Sequence, residues 1–597
     1  MSDTSSARSD EFLKISDQFR LGTLVTEAEH PVTSQLSELA KQDLPGAVRL
    51  LFQADTDVLN KFREFASSGQ AAHLSHSISA AIKNGGRVFF VGCGSTGRLS
   101  LLLESIWRDY WRQEANPELE RRVIGLMAGG DYALIRAVEG FEDHAGFGRK
   151  QLNDAGARTG DVVFALTEGG ETPFVIGAAW TGLAVGAKVY FVYNNPDDVL
   201  AAAAERSREV LAEPAIEKIN LTTGPMSIAG STRMQATSIQ LCVLLTVLEM
   251  AVRELAGQEA TDIPHTFLVA LEELFRELQT PECCAGLANL AALEASVYRA
   301  RGRNSYFADR FSLDVLTDTA ERSPTFSTPP FRKFDEEKAA ESWSFLFVPE
   351  NWTDNAWANV LKRPPRCLAW TENDMRSLVP PEQLEALRDN LQKIGPTELM
   401  RYKIGSNGIK YRPLVVKDSA MAIVSAVERE AARKFQAEQL AQFQAGHVHT
   451  GLIYFGASQP EGIFPGVANR LLVRVPATSL LLDGVTRVAV KLVMNALSTA
   501  TMAQLGRIQG NVMFWVMPSN NKLIDRATRY IVQASGLDYA AANQLLFDVL
   551  EYVEPRRRMD KAFPPVVGLA LTRLKFSLPN EQAEKYLLSH GLPAGPA

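Results

Sequence analysis

The stretch "VFFVGCGSTGRLSLLLES", residues 88–105, decides the fold. A short apolar, aromatic run meets three glycines, Gly92, Gly94 and Gly97, and then a segment of helical periodicity. A G-x-G-x-x-G loop between strand and helix cradles phosphate on backbone N–H groups and is the fingerprint of dinucleotide sites. Such a site also needs an acid roughly 20 residues on, at the end of the next strand, to hold the ribose hydroxyls. Here the next apolar run is "RVIGLMAGG" (122–130), and Asp131 at its end lies about twice as far along as that geometry requires. Ser95 and Thr96 lie between the last two glycines, with Arg98 directly after them. Two hydroxyls, a helix N-terminus and a guanidinium suit a compact phosphomonoester better than a dinucleotide.

Outward from this loop, further short apolar runs follow at 161–170, 188–195 and 217–224, separated by helical stretches such as 98–112, 131–140 and 173–186. Strands alternating with helices imply a parallel sheet covered on both faces. A helical passage over 232–300 closes this unit. The second half repeats the theme, with strands expected at 304–309, 342–350, 366–372, 411–417, 449–457 and 471–476. The Pro/Ser-rich stretch 321–338 reads as loop. From about 484 the chain is helical again. The fold class is α/β: two parallel-sheet layers with a C-terminal helical lid.

Composition narrows the function classes. The 597 residues are 46% hydrophobic and 22% charged, with a net charge of −7 and no basic field. That argues against nucleic acid as a partner. Five cysteines without CxxC spacing suggest neither a zinc site nor a disulfide framework. The N-terminus has no apolar signal core, and the apolar run 241–252 is short for a bilayer and contains Glu249. The expectation is a cytoplasmic protein with no membrane contact.

Three more loops belong with the glycine loop. "TEGGETP" (167–173) places Thr167, Gly169 and Thr172 at a strand end, and "AGSTRMQ" (229–235) places Ser231, Thr232 and Arg233 at a helix start. "AVEGFED" (137–143) carries Glu139 and Glu142, three apart and expected on one helical face. Together these segments resemble the sugar isomerase (SIS) domain of the N-acetylmuramic acid 6-phosphate etherases. "TLVTEAEHP" (23–31), "ALSTATMAQLGRIQGNVM" (496–513) and "SNNKLIDRATRYIVQASGLDYAAANQLL" (519–546) resemble those enzymes too. Two α/β halves followed by a helical lid resemble the glucokinase regulatory protein, a non-catalytic relative with two SIS domains. The resemblance is strong over 20–255 and 490–550 and weak over 300–480. It implies an N-terminal segment (1–55), a first SIS domain (56–270), a second with a degenerate glycine loop (271–500) and a lid (501–597).

The resemblance also implies chemistry. The etherases remove a lactyl ether from a sugar phosphate with two glutamates as acid and base. Glu142 matches one of them. The other should lie on the helix after the glycine loop, where Ile106 stands instead, with Glu104 on a different face. In the second half, "VLTDTAERSPTFS" (315–327) resembles the glutamate-bearing segment, with Glu321 at the matching position. One composite site is therefore expected, in which Glu142 and Glu321 are catalytic. Gly92, Gly94, Ser95, Thr96, Gly97, Arg98, Thr167, Gly169, Thr172, Ser231, Thr232, Arg233 and the lid residue Lys522 would hold the sugar phosphate. No cofactor or metal is implied. Glu168 and Glu171 stand where the relatives carry neutral or basic residues, and Gln235 replaces a lysine. On the alternative, regulatory reading the site senses a sugar phosphate and the partner protein is a sugar kinase.

Overall fold

In the computed structural model, which describes residues 3–590 apart from 139, 380, 459–461 and 463, two five-stranded sheets lie in one chain. The first contains β1 (Val88–Gly92), β2 (Val123–Met127), β3 (Val162–Leu166), β4 (Lys188–Tyr193) and β5 (Ile216–Asn220), in the order β2-β1-β3-β4-β5. All pairs are parallel, with Val88 level with both Val123 and Val162. Helices on both faces bury β1 and β3 throughout, so they read as continuous apolar runs rather than alternating ones. The strand order reverses between β1 and β3, and the crevice beyond the carboxyl ends at such a switch point is where open α/β sheets bind ligands.

The second sheet contains β6 (Asn304–Phe307), β7 (Ser344–Phe347), β8 (Ser419–Ser425), β9 (His449–Phe455) and β10 (Asn469–Val473). Its order, β10-β9-β8-β6-β7, is that of the first sheet repeated with the same connectivity. Two of the expected strands are absent. Residues 366–372 instead cross to the first half, where Cys367 bridges Gly130 and Trp370 stacks on Phe141. Residues 411–417 form an exposed connection carrying Val415 and Val416. The strand in that region is β8, whose sequence SAMAIVS is entirely buried.

Two further corrections bear on the site. The helix expected over 131–140 is only a short 3-10 turn, Asp131–Leu134. Glu142 therefore sits in a turn, and Glu139 lies outside the described residues. The stretch expected to begin a loop at 321 is still helix: Ser312–Phe326 runs through Pro324 before ending. Proline removes a donor and crowds the preceding turn, and this helix stops two residues later.

The helix Gln235–Leu255 has 21 residues and is apolar enough to cross a membrane by length and composition, but its apolar window is wholly buried inside the protein. The helix Gly484–Gln504 packs against it and against Ser312–Phe326, which joins the two halves. Buried ion pairs reinforce the joint: Arg363 of the second half meets Asp131 and Glu104 of the first, both at 3.0 Å.

Candidate functional site

A cleft of about 170 Å³ at the first switch point is walled by both halves and the lid. The glycine loop forms its floor, and each glycine there has a different reason. A Cβ on Gly92 would lie 2.5 Å from the Thr96 carbonyl carbon, and one on Gly97 would lie 2.6 Å from Met127 Cγ. These two glycines let the helix Gly94–Gln113 close onto the sheet. Gly94 takes φ +50° with open space around it, a left-handed turn that glycine adopts without strain.

Of the two hydroxyls, only Ser95 lines the cleft. Thr96 folds back, accepting from the Cys93 amide at 3.2 Å and donating to its carbonyl at 2.9 Å. It caps the helix, contrary to the expectation that it contacts ligand. Thr167 is likewise internal: its hydroxyl accepts from the Gly170 amide at 3.1 Å and meets Thr172 Oγ1 at 3.1 Å. The Gly169 carbonyl accepts from Asn195. Gly92, Thr96, Gly97, Thr167 and Gly169 thus shape the loops, whereas Gly94, Ser95, Arg98, Thr172, Ser231, Thr232, Arg233, Lys522, Glu142 and Glu321 face the cleft.

The cleft is rich in carboxylates, and its cations are already paired. Arg98 bonds Glu321 and the carbonyls of Ala133 and Leu134. Arg233 reaches Asp318 at 2.8 Å and Thr499 at 3.0 Å. Lys522 meets Glu171 at 2.9 Å. Arg526 of the lid holds Glu27 through two hydrogen bonds, at 3.0 and 2.6 Å. Arg98, Arg233 and Lys522, expected to be open for a phosphate, are therefore each neutralised by a neighbour. The remaining cleft carboxylates, Glu142, Asp143 and Glu168, have no such cation, and their ionisation responds. Burial and the adjacent Asp143 push Glu142 up to about 8. Burial pushes Asp143 up to about 6 and Glu168 up to about 7. Burial would raise Glu171 as well, but Lys522 and Arg206 bring it below its ordinary value.

Glu142 accepts a hydrogen bond from the Asn520 side chain, and Asp143 accepts from the Asn521 amide at 3.1 Å. The lid helix Asn521–Ser535 is therefore docked on the acid-bearing turn by its own N-terminus. Asp143, Asn520, Arg526 and Glu27 escaped the sequence reading, although "TLVTEAEHP" and "SNNKLIDRA" contain three of them. Glu104 is excluded from the cleft: it is buried and bonds Arg108, Arg363 and Arg366.

The equivalent switch point of the second sheet, between β6 and β8, is closed by side chains. Asp309 takes two bonds of 2.7 Å from Arg429 and a third of 2.9 Å from Asn359. The segment "YFADRFS" (306–312), which stands where the second half would carry its glycine loop, thus holds an ion pair, and the second half contributes Glu321 to the first cleft instead.

The glycine loop of one half, a helix of the other and a helical lid around one cleft are the features of a double SIS-domain protein. Residues 70–181 match the family model described as the glucokinase regulatory protein N-terminal SIS domain. An N-acetylmuramic acid 6-phosphate etherase of Synechococcus sp. (strain CC9902) is 32% identical over 282 residues, 46% of this chain and 83% of that protein. The etherase of Yersinia pestis (strain Pestoides F) is 32% identical over 238 residues, 38% of this chain and 69% of that protein. Etherase 1 of Bacillus licheniformis is 31% identical over 224 residues, 38% of this chain and 67% of that protein. The chain belongs to the N-acetylmuramic acid 6-phosphate etherase family.

Proposed function

We propose that the chain binds N-acetylmuramic acid 6-phosphate in the composite cleft and cleaves its lactyl ether, giving N-acetylglucosamine 6-phosphate and lactate. The observation that carries this reading is that Glu142 of the first half and Glu321 of the second line one cleft with the glycine loop. Elimination needs one carboxylate to take the sugar C2 proton and one carboxylic acid to protonate the departing ether oxygen. Water then adds to C3 with the two roles reversed, so the net reaction consumes one water. With its ionisation pushed up to about 8, Glu142 carries a proton at neutral pH, while Glu321 is ion-paired with Arg98. A sugar phosphate arriving at Ser95 and Arg98 would compete for that guanidinium and free Glu321 for the reaction.

The test is lactate release from N-acetylmuramic acid 6-phosphate. Glu142→Gln and Glu321→Gln should each lower it by about 10²–10⁴-fold while sugar-phosphate binding stays within a few-fold. Tight binding by the unaltered protein without any lactate would refute the enzyme. It would favour the second reading, a sugar-phosphate sensor acting on a sugar kinase. That reading draws on the family-model match over 70–181 and on the isoleucine at position 106.

A further inference from the structure

A second cavity, about 210 Å³, adjoins the cleft and shares Ala137, Pro324 and Ser519 with its wall. One part of its wall is apolar, from Pro330, Phe331, Trp343 and Phe563; the rest is polar, with Arg136 paired to Asp560, Arg557 paired to Glu554, Lys561 and Arg507. The Arg507 guanidinium lies between two indole rings, 4.3 Å from the Trp343 centroid and 4.1 Å from that of Trp515. It donates only to the carbonyls of Phe326 and Ser327, at the C-terminus of the helix that carries Glu321. Among the described residues no carboxylate pairs with it. Burial alone pulls its ionisation down to about 9. The contrast with the cleft is direct, because Arg98, Arg233, Lys522 and Arg526 each have an acid.

Arg507 is partly buried, and a desolvated cation without a counter-charge is unfavourable unless something anionic reaches it. Ring faces and helix-end carbonyls offset part of that penalty. The position of the cavity also points to a ligand: it opens beside Pro324, three residues from Glu321, so a group bound there can be joined to a sugar in the cleft.

We infer that this cavity is an anion subsite in which Arg507, stacked between Trp343 and Trp515, takes a carboxylate carried by the ligand of the adjoining cleft. The inference rests on the sugar-phosphate reading of the cleft and adds a determinant of which sugar phosphates it accepts. A planar, doubly stacked guanidinium suits the planar carboxylate in a way that a mobile ammonium does not.

The experiment is calorimetric titration of the full-length chain in a Glu142→Gln background, which stops turnover. The probes are N-acetylmuramic acid 6-phosphate, N-acetylglucosamine 6-phosphate and D-lactate alone. The muramic ligand should bind about 10- to 100-fold more tightly than the glucosamine one, as loss of a charge-assisted bond predicts. Arg507→Gln should abolish that preference and leave the glucosamine ligand unchanged. Arg507→Lys should restore part of it. Ser323→Phe, which adds a ring at another position of the cavity wall, should abolish it as well, so the test survives misfolding of one variant. A merely structural Arg507 would weaken both sugar phosphates equally, and that result overturns the inference. So does an absence of preference in the parent, or a response confined to free D-lactate. Failure of both sugar phosphates to bind would overturn the cleft reading along with it.

Discussion

Replacing Arg363 with methionine removes the cation that joins the two halves over the turn leading to Glu142. Arg363 is 6% exposed, Asp131 3% and Glu104 1%. Glu104 would keep Arg108 at 2.8 Å and Arg366, so its charge remains compensated. Asp131 would keep only the backbone amide of Arg366. Stranding one buried carboxylate in this way costs about 3–5 kcal/mol, against about 1 kcal/mol or less for an exposed pair. The assay is the urea midpoint of the first unfolding transition, measured for Arg363→Met, Asp131→Asn and the double variant. The double variant removes the stranded charge while keeping an acceptor for the Arg366 amide, and should recover at least about half the loss. An unpaired buried carboxylate escapes by taking up a proton, so the penalty should be smaller near about pH 5 than near about pH 8. A single-variant loss below about 1 kcal/mol, or simple additivity in the double variant, would refute the joint as an electrostatic clamp.

The acid cluster makes the empty cleft sensitive to alkali. A carboxylate whose ionisation is raised in the folded state binds its proton more tightly there. Stability therefore falls as pH climbs from the ordinary range near 4.5 to about 8, by at most about 1.4 kcal/mol per unit from Glu142. Glu142→Gln should consequently raise the thermal midpoint above pH 8 and leave it nearly unchanged near pH 4.5; the reverse order would contradict the assignment. Sugar-phosphate affinity should also decline between about pH 7 and 9, because Glu142 and Glu168 gain charge next to the bound dianion, and titration across that range checks it. Gly92→Ala should unfold the loop or abolish binding, since its methyl would lie 2.5 Å from backbone; an unchanged melting curve and affinity would show that the glycine is dispensable. Calorimetry with N-acetylglucosamine 6-phosphate should give one site per chain, because Asp309 and Arg429 fill the second switch point. A stoichiometry of two would show that ion pair to be displaceable.

How legible the molecule was in its sequence follows from what each signal reports. Strands β1 to β4 stand where continuous apolar runs predict them, because a strand covered on both faces has little polar to show; the edge strand β5, IEKIN, is only partly buried and keeps polar residues. In the second half, β8 is buried throughout but is built of Ser419, Ala420, Ala422 and Ser425 around few large apolar residues. Its neighbour "YRPLVVK" looked more strand-like and is an exposed connection. Backbone roles of the glycines were legible, but hydroxyl roles were not, since a capping threonine and a ligand-holding one are spelled alike; Thr96 caps and Ser95 faces the cleft. Pairing was the least legible property. Nothing local to Arg98, Lys522 or Arg233 announces Glu321, Glu171 or Asp318, because those partners lie 223, 351 and 85 residues away.

Ile106 stands where the two halves divide their roles. Without a glutamate there, the first half holds the glycine loop and only Glu142 of the two glutamates that the resemblance implies. The acid nearest in sequence, Glu104, lies two residues back, on another face, buried under Arg363 and Arg366. Its charge binds the second half in place, and that half delivers Glu321 to Arg98 on the helix Ser312–Phe326. The switch point of the second half is closed by Asp309 and Arg429. The asymmetry of the two halves is thus one arrangement: a buried carboxylate, Glu104, clamps the halves together on one side, and an ion pair stands in place of a glycine loop on the other. Returning a glutamate to position 106 alone would not rebuild a second site, because no glycine loop faces it across β6. Ile106→Glu should instead bury a new carboxylate where the isoleucine is 4% exposed, and lower the melting temperature without adding a binding site. A stable variant that binds two sugar phosphates would break this account.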